Sequence, residues 1–295
     1  MSTWTRYIRY AMAPVITMPA VTTVEPGRLS PTTASPEPTA RQASAGTAMP
    51  MAATGGGHRQ NWRSVNGAGS AEQSASSGYR VTMTDAWLSE TRSSYDTDAS
   101  GYAEKVRGLL DESPYLRSSL ALFAELVHGA GGGQVADIGC GPGYVTGHLH
   151  DAGVDVFGID LSPEMVAIAR QDYPDLRFEV GTMTDLDLAD DSLAGIIAFW
   201  SVIHVPDHAM PGVFEQFRRV LRPRGPVLVG FHVGDEIRHT SEGYTGRPIN
   251  VDTHHRRPSK VAGWLRDAGF AIEAELVIGP DKDVPGAVIF ARRDA

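Results

Sequence analysis

The 295-residue chain contains a single cysteine, Cys140. One thiol excludes a disulfide framework and a cysteine-based zinc site, and a reducing cytoplasm is its natural setting. Long apolar runs are missing too. None approaches the roughly 20 residues that cross a bilayer, so no membrane partner is expected. Basic charge is scarce in most of the chain. Residues 1–82 carry seven Arg and three acidic residues, whereas 83–295 carry 19 basic against 32 acidic residues, within a net charge of −9. Such an acidic body lacks the basic footprint of a nucleic-acid binder. Histidines and carboxylates do not cluster at ligand spacing, so no metal is implied.

The first 80 or so residues lack hydrophobic periodicity. The stretch "TTVEPGRLSPTTASPEPTARQASAGTAMPMAATGGGH" is rich in Pro, Thr, Ser, Ala and Gly. It offers too little apolar surface to offset its chain entropy. Residues 1–82 are therefore expected to be a disordered, dispensable low-complexity extension. Met83 opens a plausible natural start, and residues 83–295 form the folded domain, with 83–130 as its N-terminal helical segment.

From about Asp85 the chain becomes periodic. "SPYLRSSLALFAELV" predicts a helix with Ser113 at the N-cap, Pro114 in the first turn, and Leu116, Leu120, Phe123 and Val127 on one face. Short apolar runs then alternate with helical segments. "QVADI", "VDVFGID", "LRFEVG", "LAGIIAFW", "PVLVGFHV", "FAIEAELVI" and "GAVIFARR" are predicted strands. "YVTGHLHDA", "SPEMVAIARQ" (capped by Ser162), "MPGVFEQFRRVL" and "RPSKVAGWLRDAG" (capped near Ser259) are predicted helices. This alternation implies right-handed crossovers and a parallel sheet covered on both faces. Only "GPDKDVPG" joins the last two strands, so they should pair antiparallel at one edge. The expected fold is α/β, doubly wound, with a mostly parallel seven-stranded sheet and an antiparallel edge hairpin. "GDEIRHTSEGYTGRPINVDTHH", before the last helix, is expected to be a long polar loop that shapes a pocket.

The chemistry concentrates in "VADIGCGPGYV". In open α/β sheets ligands bind beyond the carboxyl ends of the strands, and this turn ends the first one. A dinucleotide turn needs a third glycine where Tyr144 stands. Gly139, Gly141 and Gly143 are present instead, and Asp137 just before them would repel a pyrophosphate but welcome a cationic group. Asp160, at the end of the second strand, is placed to accept hydrogen bonds from ribose hydroxyls. Cys140 is expected to be a small turn residue rather than a nucleophile.

In order and spacing these stretches resemble the class I S-adenosylmethionine-dependent methyltransferases, in their small-molecule (type 11/25-like) branch. "VADIGCGPG", "GIDLSPEMVAIAR", "GTMTDLDLADDSLAGIIAFWSVIHV" and "VFEQFRRVLRPRGPVLVGF" are similar to successive motifs of that family, over roughly residues 95–293. The resemblance implies a Rossmann-like fold, S-adenosyl-L-methionine as cofactor and a small-molecule acceptor, in a monomer or homodimer. It implies that Asp137, Gly139, Cys140, Gly141 and Gly143 cradle the methionine part. Asp160 would hold the ribose, with Leu161, Thr182 and Met183 around the adenine; many relatives carry Asp in place of Thr182. Phe199, Trp200 and Ser201 would lie beside the sulfonium. Tyr95 would cover the cofactor and Tyr102 the substrate.

Candidate bases are His204, after the fourth strand, and His232, at the end of the fifth. For His204 a packing role competes evenly with the catalytic one. His208 is expected to be solvated or capping. In "HHRR" (254–257), His255 and Arg256 are candidate contacts for an anionic substrate group, against the alternative of a solvated loop. The expected reaction is methyl transfer to an O, N or C atom, as a tailoring step in secondary metabolism. Three rivals are a nicotinamide oxidoreductase, a macromolecule methylase, and an enzyme that cyclises or rearranges its substrate on the same cofactor.

Overall fold

The structure, a computed structural model, describes residues 86–295. The expected disordered extension 1–82 and the start at Met83 lie outside the described residues. The chain runs α1 (Ala86–Val106), α2 (Leu109–Glu112), α3 (Pro114–Gly129), β1 (Val135–Ile138), α4 (Tyr144–Asp151), β2 (Val156–Asp160), α5 (Pro163–Asp172), β3 (Phe178–Val180), β4 (Gly195–Phe199), α6 (Met210–Val220), β5 (Pro226–His232), β6 (Ile237–Glu242), β7 (Pro248–His254), α7 (Pro258–Asp267), β8 (Phe270–Ile278) and β9 (Gly286–Arg293). A short 3₁₀ turn, Val202–His204, follows β4.

The seven-stranded sheet has the order β3-β2-β1-β4-β5-β9-β8. β1 to β5 are parallel, and β9 is antiparallel to both β5 and β8. The expected doubly wound sheet with an antiparallel edge is therefore present. Strand order reverses between β1 and β4, so the carboxyl ends of β1, β2 and β4 open onto one crevice. The inner strands are buried along their whole length, as both-face coverage requires. Val213, Phe214, Phe217 and Val220 of α6, and Leu221 just after it, are completely buried.

Local signals hold at most helix starts. Ser162 accepts a hydrogen bond from Met165 N, with Pro163 in the first turn of α5. Ser113 occupies the N-cap of α3 but its side chain makes no capping bond. α7 begins one residue before the expected cap. Arg257 is the N-cap and Ser259 lies inside the first turn.

The predicted polar loop is the main correction. Residues 237–254 fold as an antiparallel hairpin, with Ile237 opposite His254 and Thr240 opposite Val251. Polar residues conceal it because the hairpin stands outside the main sheet with much of both faces exposed. Its anchorage comes from α1. Asp98, where α1 kinks (φ −114°, ψ 18°), accepts hydrogen bonds from Tyr244 N at 2.6 Å, Thr245 N at 2.8 Å and Thr245 Oγ1 at 2.7 Å. The Ser94 hydroxyl donates to Asn250 O and accepts from Asn250 N.

Candidate functional site

A cavity lies at the carboxyl ends of β1, β2 and β4, roofed by α1. Its floor is the turn after β1. Gly139 adopts φ +77°, and a Cβ there would come within 2.2 Å of Ser201 Cβ. Only glycine lets the two loops meet, and the Ser201 hydroxyl seals them by donating to Ile138 O at 2.6 Å. Gly141 N donates to Asp160 Oδ2 at 2.7 Å, which ties the glycine turn to the end of β2. Asp160 Oδ1 accepts from Ser162 N. Gly143 lies outside the cavity wall; it caps α4 against Phe178. Cys140 lines the cavity as a buried thiol, its pKa driven up by desolvation, in keeping with an unreactive turn residue.

Asp137 is 1% exposed. Its Oδ2 accepts from Thr146 Oγ1 at 2.7 Å, while Oδ1 is buried without a partner. Burial, reinforced by the Asp160 charge, pushes its pKa up to about 7. Burial likewise raises Asp160 to about 6, against hydrogen bonds from Ser162 and Gly141 that favour the charged form. Both carboxylates face the cavity, and among the described residues no Lys or Arg lines it. A buried carboxylate oxygen with no partner marks a place for a ligand donor.

The other expected positions divide. Leu161, Thr182, Met183 and Phe199 line the cavity. Thr182 Oγ1 accepts from Thr184 N and shares a hydrogen bond with Thr184 Oγ1, so it is partly spent on its own turn. Trp200 has φ +56°, a backbone state costing roughly 1–3 kcal/mol for a bulky residue. Its indole fills a slot left by two glycines: a Cβ on Gly230 or Gly286 would sit 2.7 or 2.8 Å from the ring. Trp200 Nε1 donates to His232 Nδ1 at 3.3 Å. That bond shows why His232 does not serve as the expected base. It lies behind Trp200, outside the lining, stacked on His255. Burial and the neighbouring His255 hold its pKa down to about 3.

His255 and Arg256 are corrected likewise. They are 4% and 1% exposed and are absent from the cavity wall. Arg256 donates to Asp207 Oδ1 at 2.9 Å, Val202 O at 3.0 Å and Val205 O. Its fork braces the 3₁₀ turn that carries His204, so it is neither a substrate clamp nor part of a solvated loop. His208 is exposed, as expected.

His204 faces the cavity. Its Nδ1 lies 2.8 Å from Asp252 O and its Nε2 lies 2.7 Å from the Tyr95 hydroxyl. Burial lowers its pKa to about 4, so the ring is neutral at pH 7. The two α1 tyrosines exchange their expected places. Tyr102 reaches over the glycine turn, its Cε1 being 3.6 Å from where a Gly141 Cβ would stand, while Tyr95 meets His204. Trp87, Leu88, Thr91, Tyr144 and Val205 also line the cavity and escaped the sequence reading. A signal existed: 87, 91, 95, 98 and 102 fall on one helical face. Thr91 and Asp98 interrupt its apolar character, which concealed it.

Residues 135–225, from β1 to the turn before β5, match the methyltransferase domain family. A probable S-adenosylmethionine-dependent methyltransferase of Mycolicibacterium smegmatis is 31% identical over 172 residues, covering 58% of this chain and 65% of the relative. These matches support a methyltransferase of the class I, S-adenosylmethionine-dependent kind, with the family likeness carried by residues 135–225. A ubiquinone biosynthesis O-methyltransferase of Xanthomonas axonopodis pv. citri is 26% identical over 155 residues, 48% of this chain and 64% of that protein. The chain thus spans just under two thirds of the length of these curated relatives. Among solved structures, the Burkholderia thailandensis 1,6-didemethyltoxoflavin-N1-methyltransferase, with bound 1,6-didemethyltoxoflavin and S-adenosylhomocysteine, superposes with TM-score 0.54 at 20% identity, covering 73% of this chain and 92% of that one. A Methanosarcina mazei methyltransferase superposes at 0.50 and 20% identity, covering 55% of this chain and 93% of its own. At these identities the likeness extends to the methyltransferase fold. Among the described residues no group of three or more His, Cys, Asp or Glu is placed to hold a metal, and no helix is long and apolar enough to cross a membrane.

Proposed function

We propose that this methyltransferase domain binds S-adenosyl-L-methionine and moves its methyl group to an O, N or C atom of a small molecule. One observation carries the reading. Two carboxylates, the buried Asp137 and the half-buried Asp160, face a cavity that, among the described residues, no cation lines. Such a wall suits a cationic ligand rich in hydroxyls and repels a dinucleotide pyrophosphate. Asp137 Oδ1 would receive the ammonium of the methionine part, with Gly139, Cys140 and Gly141 along it. Asp160 keeps lone pairs for ribose hydroxyls after meeting Gly141 and Ser162. Leu161, Thr182 and Met183 border the adenine, and Phe199, Trp200 and Ser201 border the sulfonium end. When bound, the cofactor supplies a methyl on a sulfonium whose departure leaves a neutral thioether.

The chain's own task is to align an acceptor and keep water out. Trp87, Leu88 and Thr91 on α1 cover the cavity together with Tyr95 and Tyr102. The acidic body favours a small-molecule acceptor over nucleic acid, and a relative named for ubiquinone biosynthesis and a structural neighbour with bound 1,6-didemethyltoxoflavin agree with that reading. A tailoring step in secondary metabolism, by a monomer or homodimer in a reducing cytoplasm, fits this reading. The domain comprises 83–295, with 83–130 as its lid segment and 1–82 as a dispensable extension. Calorimetry tests the cofactor: S-adenosylhomocysteine should bind and NAD should not. NAD binding in its place would make the protein an oxidoreductase. Mass spectrometry of products should show one added methyl, and an isomerised product without it would favour cyclisation or rearrangement.

A further inference from the structure

We propose that Tyr95 is a catalytic residue: it takes the acceptor's hydroxyl proton while passing its own to His204, whose ring the Asp252 carbonyl holds for the exchange. This deepens the methyl-transfer reading and rests on it.

The direction of the relay follows from donor inventory. Asp252 O is a carbonyl and only accepts, so the proton of neutral His204 sits on Nδ1. Nε2 then carries a lone pair. The Tyr95 hydroxyl, 2.7 Å away, must donate to it. Burial and the surrounding Tyr102, Tyr244 and Asp160 raise the Tyr95 pKa, so this proton stays on oxygen in the resting state. The Tyr95 oxygen keeps its own lone pairs for the cavity, whose wall it shares with His204. An acceptor hydroxyl therefore meets Tyr95 oxygen first, because Nε2 is already covered. The hairpin β6–β7 fixes this geometry from behind: Asp252 belongs to β7, and Asp98 and Ser94 of α1 clasp that hairpin. Tyr95 and the carbonyl that sets its partner's tautomer thus rest on one interlocked unit.

As the acceptor oxygen forms its bond to the methyl carbon, the methyl–sulfur bond breaks and its electron pair stays on sulfur. The proton of the acceptor oxygen moves to Tyr95 oxygen, the Tyr95 proton moves to His204 Nε2, and the new imidazolium keeps Nδ1–H on Asp252 O. One positive charge enters on the sulfonium and one leaves on His204. The low basicity of His204 suits this order. It does not ionise a hydroxyl beforehand, but an O-methylated oxonium is a far stronger acid than an imidazolium, so the proton moves once the new bond is forming. The charges facing His204 are mixed: His254 and Arg256 oppose its protonation, Asp252 favours it, and Tyr95 faces it from α1.

The first test needs no turnover. Nitrogen-15 NMR of the histidine-labelled full chain should show His204 neutral with Nδ1–H from pH 8 down to about pH 5, and Tyr95→Phe should move its Nε2 signal toward the unbonded position. An Nε2–H tautomer, or a signal that ignores Tyr95→Phe, overturns the relay. The second uses labelled S-adenosylmethionine with a panel of simple phenols, including catechol and 4-nitrophenol. Tyr95→Phe should lower kcat about 100-fold, within the range for positioned proton transfer, and leave the cofactor KM within about threefold. His204→Gln should match it, and the double variant should be no slower than either. Effects that multiply, or a change confined to the cofactor KM, overturn the proposal. S-adenosylhomocysteine calorimetry separates the two levels. Binding without methylation of any phenol overturns the relay alone, and no binding removes the cofactor reading with it.

Discussion

Asp137→Asn should make the empty protein more stable and the cofactor complex weaker. Asp137 has a pKa of about 7 in the folded chain against an ordinary value near 3.8. At pH 8 the buried carboxylate therefore costs about 4 kcal/mol relative to the unfolded chain. Asparagine keeps an oxygen for Thr146, but turns an amide N–H group toward the place of the unpartnered Oδ1. An unpaired buried donor costs about 1–3 kcal/mol, so the net gain at pH 8 is about 1–3 kcal/mol. The sign is testable across pH. With the folded pKa raised, the native state holds more protons than the unfolded one between about pH 4 and 7. As pH rises through that window Asp137 should lower wild-type stability by up to about 1.4 kcal/mol per pH unit, a contribution the variant lacks, while Asp160, raised to about 6, adds a slope of the same sign to both proteins. His204 and His232, with lowered values of about 4 and 3, contribute the opposite slope as pH falls below about 6.5, but both proteins share it. Urea unfolding at pH 5, 6, 7 and 8 gives the difference directly. S-adenosylhomocysteine affinity should drop about tenfold or more through loss of the charged contact. A stability difference that is the same at every pH, or an unchanged affinity, would refute the account of Asp137.

Further variants separate the remaining roles. Asp160→Ala should weaken S-adenosylhomocysteine binding more than Asp160→Glu, because it frees Gly141 N and Ser162 N as well as the cavity; equal calorimetric affinities for wild type and both variants would contradict the ribose role. Arg256→Met should cost about 1–3 kcal/mol for the Val205 carbonyl it leaves without its guanidinium donor, Val202 O keeping its bond from Val205 N, seen in urea unfolding, with cofactor affinity almost unchanged. Asp98→Ala removes three hydrogen bonds to one carboxylate and should cost at least about 2 kcal/mol. It should also speed proteolysis within 86–106 and the hairpin, and unaltered cleavage there would argue against the clasp.

Most of the fold was legible in local patterns. Continuous apolar strands, Pro in first helical turns and alternating segment lengths foretold the parallel sheet and its antiparallel edge. The hairpin 237–254 was not legible, because its strands are half solvent-facing and lack a 2-residue apolar alternation. Asp98, far away in sequence, supplies the bonds that hold it. Histidine roles were ambiguous for a related reason. His204 follows a parallel strand and His232 ends one, and the indole of Trp200 stands between His232 and the cavity.

By itself the sequence determined the cradle. Glycines at alternate positions after Asp137, and Asp160 at the next strand end, are short-range features whose geometry a β-turn-α unit enforces. Tertiary structure decided what faces the cradle. It turned His254, His255 and Arg256 inward, where Arg256 meets carbonyls rather than a substrate. It left Asp137 Oδ1 without a partner, and it brought Tyr95, His204 and Asp252 into one hydrogen-bonded line from three separate elements. Local propensity carries no information about such contacts, because each depends on packing between segments up to about 150 residues apart.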